Sequence, residues 1–120
     1  MNDPRDGLDD VDDFEPVMRS ILEADEAVQA RARAVDAMLA VSDRRVIVLS
    51  PDRVHLSVSL DRVRRIQFDI ERTRPATLVI VPDDPRDTPQ VLAIPASEYE
   101  AISRALVAIG LHLHESGQSA

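Results

Sequence analysis

The sequence predicts a mainly β domain with two helices, a short one ahead of the strands and an amphipathic one closing the C-terminus. Three observations carry this. Between residues 26 and 94 the apolar positions recur with a period of two, in short runs separated by turn-forming residues. On either side of that region the period becomes that of a helix. The connections between runs are of hairpin length, which favours an antiparallel meander over parallel βαβ units. A sheet of six or seven such strands curls, and a terminal helix covers its open end. The 120 residues suffice for one core but not comfortably for two.

Taken in order, residues 1–12 (MNDPRDGLDDVD) are acidic, contain Pro4 and Gly7, and show no periodicity, so they read as a disordered leader. The domain proper is placed at 13–114, with 115–120 as a flexible tail. Phe14, Val17, Met18, Ile21 and Leu22 share one face of a helix at about 13–25, with Asp12 or Asp13 as its cap and Pro16 in its first turn. Val28, Ala30, Ala32 and Ala34 then alternate with more polar positions, as in a strand with a small-residue inner face. The competing reading, that the first helix continues to near Ala34, stays open because Ala and Arg also favour helix.

Ala37–Val41 is an apolar run, Ser42-Asp43-Arg44 a turn, and Arg45–Ser50 a β-branched strand. Pro51 presets the second position of a turn over Ser50–Arg53. Val54, Leu56, Val58 and Leu60 alternate with His55, Ser57 and Ser59, and Ile66, Phe68 and Ile70 with Arg65, Gln67 and Asp69. Ala76–Val81 is a strand, Pro82–Asp87 an exposed loop, and Val91–Ile94 a final strand. Ser97 and Glu100 have the spacing of a capping box, and Tyr99, Ile102, Leu106, Ile109 and Leu113 follow at helical intervals. The closing helix is placed at 97–113, with Gly110 as an early C-cap.

Composition narrows the function classes. There is no Cys, which removes disulfides, thiolate metal sites and cysteine nucleophiles. Phe14, Phe68 and Tyr99 are the only aromatic residues, too few for a base-stacking platform. No apolar stretch has the length of a signal peptide's core or a membrane span, so a cytoplasmic location is expected. The net charge of −8 belongs to residues 1–26, which carry ten acids against Arg5 and Arg19. The remaining twelve acids and twelve arginines cancel, and residues 31–74 hold ten arginines against six acids. Every basic charge is Arg, which is read as a GC-rich genome's usage.

The run Met38–Leu49 (MLAVSDRRVIVL) and the run Val58–Ile66 (VSLDRVRRI) resemble those of bacterial pleckstrin-homology-like (PH-like) domains, related to GRAM domains. In that family two apolar strands flank a Thr/Ser-Asp-x-Arg turn, and an apolar-polar-Leu-x-x-Ile strand follows. Leu22–Val28 is similar to the family's lead-in ending in a Gly-Glu pair, with Asp25 where Gly is usual. The likeness runs over about residues 14–114. It implies a partly open barrel of two antiparallel sheets capped by the C-terminal helix, and a non-enzymatic binding or assembly role. Some relatives form ring-like oligomers through sheet edges.

Several groups of residues have the chemistry of candidate sites. Arg62, Arg64, Arg65, Arg72 and Arg74, joined by Arg31 and Arg33 if the first strand forms, are the candidate anion- or partner-binding set. Asp61, Asp69 and Glu71 interleave with them and offer ion pairs. The short Val35-Asp36-Ala37 connection lacks the basic cluster that many lipid-binding PH domains carry there. Ser42-Asp43-Arg44-Arg45 reads as a structural turn, in which short polar side chains bond nearby backbone. His112 and His114 lie two apart, on opposite sides of a helix, and favour no metal site. His55 has no evident acid partner. Only Gly7, Gly110 and Gly117 are present, so no phosphate-cradling loop exists. No catalytic residue, cofactor or metal is expected, and no nucleic acid. The expected partner is a protein or a second copy of the chain, with weak binding of anionic lipid as the alternative.

Overall fold

Each period-two run becomes a strand in the computed structural model, which describes the backbone of residues 6–72 and 74–119 and the side-chain surroundings of 14–72 and 74–110. Helix α1 (Asp6–Ile21) leads into β1 (Val28–Arg33), β2 (Met38–Ser42), β3 (Arg45–Ser50) and β4 (Arg53–Ser59). A 3₁₀ turn at Leu60–Arg62 passes to β5 (Val63–Asp69), β6 (Ala76–Pro82) and β7 (Gln90–Ile94), and a second at Ala96–Glu98 to α2 (Tyr99–Ser119). The strands form two antiparallel sheets, ordered β1-β2-β3-β4 and β5-β6-β7, which do not close into one barrel. Residues 28–33 are thus strand and not a continuation of the first helix.

Two cores result because the first sheet is apolar on both faces. Its inner face (Leu39, Val41, Val46, Val48, Leu56 and Val58) packs with Leu78, Ile80, Leu92 and Ile94 of the second sheet and with Ile102, Ala105 and Ile109 of α2. Its outer face (Met38, Ala40, Ile47 and Leu49) is covered by Phe14 and Met18, with Val17, Ile21 and Leu22 alongside. That is the α1 face the spacing predicts.

Several sequence expectations need correction. The alternation in β1 and β4 is broken once in each strand by a register shift, between Val28 and Ala30 and beside Leu49. A one-residue shift turns the following side chains to the other face. Val28 and Val54 therefore pack toward α1, while Ala30 and Leu56 face the inner core. The alternation predicts Ile70 inside with Ile66 and Phe68, but β5 ends at Asp69 opposite Thr77, and Ile70 is 63% exposed.

Helix α1 begins at Asp6, within the stretch that reads as a leader, so Pro16 lies in its interior and not in its first turn. The helix stops at Ile21 instead of 25 because Glu26 folds back: its amide donates to the Glu23 carbonyl at 3.0 Å, and its carboxylate accepts from the Glu23 amide at 3.1 Å. At the other end the capping box does not form. Ser97 sits inside a 3₁₀ turn, not in the extended conformation an N-cap needs, and the cap carries no side-chain hydrogen bond. Glu100 instead accepts from Arg104 one turn on, at 2.6 Å. Glu98 accepts the Arg33 amide at 2.8 Å, tying the start of α2 to β1. Gly110 lies within α2, which continues past 113 to Ser119, so it is not a C-cap.

Candidate interaction surface

The turn between β2 and β3 is the most heavily bonded polar feature among the described residues. Ser42 Oγ accepts from the amides of Arg44 and Arg45 at 3.0 and 2.9 Å, closing the turn as its residue types predict. The same hydroxyl donates to Glu26 Oε2 at 2.5 Å. Arg45 grips both Glu26 oxygens, Nε to Oε2 at 3.0 Å and Nη2 to Oε1 at 2.5 Å, and donates further to the Ile21 carbonyl and Ser57 Oγ. The Glu26 side chain is fully buried. The Arg45 hydrogen bonds, aided by Ser42, outweigh burial and hold its carboxyl at about 2, against an ordinary 4.5.

Around it, Arg44 reaches Glu23 at 2.7 Å and Asp25 at 2.8 Å, and Asp43 accepts the Ala27 amide at 3.1 Å. Every charge in this cluster has a partner within the fold, and it locks α1 to the first sheet. Sequence reading missed Glu26, which looks like one acid among ten.

The candidate arginines are not gathered into one site. Arg31 and Arg33 lie on β1 opposite Ala40 and Met38, on the face that α1 covers. Arg31 bonds Glu15 of α1 at 2.5 Å, and the Arg33 guanidinium stands 5.0 Å from the centre of the Phe14 ring. Arg62, Arg64 and Arg65 lie at the start of β5, Arg72 and Arg74 beyond its far end. From Arg65 to the end of β5 at Asp69 the strand runs about 13 Å. Arg74 pairs with Glu71 at 2.8 Å, and with Arg72 it lines an open groove of about 470 Å³ between Ile70 and Tyr99. His112 and His114 have side chains outside the described residues.

His55 has a partner the sequence does not reveal. Ser50 Oγ lies 3.0 Å from its Nε2 and donates to Asp52 at 2.5 Å. The hydroxyl sits between imidazole and carboxylate, whereas a nucleophilic triad needs the imidazole between the other two. This is hairpin-tip structure.

The second sheet has one covered face and one open face. Its inner residues are in the core, while register sets Gln67, Val79 and Val91 in one row across the outer face, Arg65 and Val81 in the next, and Asp69, Thr77 and Ala93 on the other side. Val91 is 68% exposed. Val35, itself exposed, adjoins this face because its amide donates to the Ala93 carbonyl at 2.8 Å. An apolar strip thus lies beside a polar β5, with Val91, Ala93 and Val35 exposed and Val79 and Val81 half-buried. No helix among the described residues is long and apolar enough to cross a membrane.

The fold defines a small two-sheet β domain with one helix on the outer face of the first sheet and the other against the shared core. Compared with protein-family models, curated proteins and solved structures, the chain matches none.

Proposed function

We propose that this chain is a non-enzymatic protein-interaction and assembly module with a PH-like fold, and that it self-associates. The arrangement of four and then three antiparallel strands before a C-terminal helix supports the PH-like reading. The observation that carries the interaction role is the asymmetry of the sheets. The first has helix or core on both faces, whereas the second leaves Val91 and Ala93 exposed beside a half-buried Val79. A domain in water gains by covering such a strip.

Sedimentation velocity over a wide concentration range tests this with the wild type and Val91→Asp. The wild type is expected to associate reversibly, and Val91→Asp to remain monomeric with an unchanged melting temperature, since the position is exposed. A wild type that stays monomeric at its highest soluble concentration contradicts the self-association. The alternative of anionic-lipid binding draws little from the geometry, because the arginines are dispersed and two of them, Arg31 and Arg74, are engaged with acids of the fold.

A further inference from the structure

We infer that two copies pack through the open face of the β5–β6–β7 sheet about a two-fold axis lying along the row Gln67–Val79–Val91, so that Arg65 of each copy meets Asp69 of the other. This rests on the self-association reading and gives it a surface and a geometry.

The argument is one of position and sign. Arg65, Gln67 and Asp69 are alternate residues of one strand and share its outer face. The 2.9 Å hydrogen bond from Gln67 Nε2 to Asp69 Oδ2 places two of them together there. The face thus carries a positive group at one end of β5, a negative group at the other, about 13 Å apart, and a neutral amide midway. Rotation about the strand-crossing row Gln67–Val79–Val91 reverses strand direction. It lays β5 on β5, Arg65 on Asp69 twice, and Val79 and Val91 on their own copies. The other in-plane axis, along the strands, lays β5 on β7 and sets both charges against the apolar strip. Charge complementarity selects the first, and an isologous contact needs this kind of self-matching.

The β7 edge of the sheet is a poorer place to join. The Ala93 carbonyl on the open side of β7 is already taken by the Val35 amide, which blunts that edge for strand addition. The face is small, three strands or about 14 Å across, and so below the roughly 800 Å² per partner of tight complexes. The association is accordingly weak and reversible.

Charge reversal tests the geometry by sedimentation equilibrium, with circular dichroism to confirm folding. Arg65→Asp and Asp69→Arg each place like charges at both contacts and are expected to weaken the dimer by about tenfold or more. In an equimolar mixture of the two variants, the introduced aspartate of one chain meets the introduced arginine of the other. The second contact of that heterodimer joins the unaltered Asp69 of the first chain to the unaltered Arg65 of the second. The mixture is therefore expected to recover wild-type association. The double reversal in one chain is expected to recover it as a homodimer. If the wild type and variants are all monomeric, the self-association reading itself falls, and this inference with it. If the wild type associates and Val91→Asp abolishes it, but the reversals have no effect or the mixture and double variant do not recover, that reading stands and this geometry is overturned.

Discussion

Replacing Glu26 with alanine is expected to destabilise the fold by about 3 kcal/mol, the low end of the range for removing one partner of a buried ion pair. The substitution leaves the Arg45 guanidinium, itself only 22% exposed, without either carboxylate oxygen. It also removes the acceptor of the Ser42 hydroxyl and the cap on the Glu23 amide. Because native domains are stable by only about 5–15 kcal/mol, this is a large fraction of the whole. The turn that aligns α1 with the first sheet is what loosens.

The same residue makes stability depend on pH. Its folded pKa of about 2 lies below the ordinary 4.5, so the folded state favours the carboxylate. The stabilisation is complete above about pH 5 and is lost as pH falls toward 2, amounting to roughly 3 kcal/mol over that window. Urea denaturation at neutral pH and at about pH 3 checks both statements: the wild type should lose much more stability on acidification than Glu26→Ala. Equal losses in the two proteins would show that the pair contributes nothing to acid sensitivity.

The second large effect is expected at Ile102. This residue is fully buried on α2, in the cluster that joins the helix to both sheets. Ile102→Ala removes the transfer free energy of three carbons and leaves a cavity between sheets that do not close on each other, at a cost of about 3–4 kcal/mol. Val107→Ala, further along the same helix but 60% exposed, is the matched control and should change stability by less than about 0.5 kcal/mol. Denaturant midpoints of the two variants decide whether α2 belongs to the core. A near-neutral Ile102→Ala would mean that it does not.

Strand identity is legible because period-two alternation is a direct consequence of the pleat: β3 has the expected bounds, Arg45–Ser50, and the α1 stripe of Phe14, Val17, Met18, Ile21 and Leu22 is the one that packs. What alternation cannot convey is a register shift. Val28 and Val54 continue their strands' patterns by eye, yet each lies on the opposite face from its successors. Strand ends are similarly invisible: β5 stops at Asp69 although Ala76, the next residue in register, still belongs to β6. Capping fails for a related reason. The Ser97/Glu100 spacing is correct, but Pro95 and a 3₁₀ turn set the backbone there, and both nearby glutamates bond arginines, Glu98 the Arg33 amide and Glu100 the Arg104 side chain.

The candidate site is less legible than the fold. Sequence proximity groups Arg62–Arg74 as one basic stretch, but the extended run of β5 from Arg65 to Asp69 carries Arg72 and Arg74 away from the arginines at its start. Arg31 and Arg33 belong to another sheet and face α1. Glu26 and Arg45 are nineteen residues apart, and only the fold brings them together. The valine strip is concealed by ordinary alternation: Val79, Val81 and Val91 look like core, yet the first two are half-buried and Val91 exposed, whereas Leu78 and Ile80 are fully buried.

The central claim, that this open face is where the molecule meets its own copy, is most directly tested by amide NMR spectra of the wild type on dilution. Shift changes are predicted to concentrate on Gln67, Val79, Val81, Val91 and Ala93, with the first sheet and the Glu26–Arg45 cluster unmoved. Changes confined to the first sheet or to the β4 edge, or none at any concentration, would contradict it.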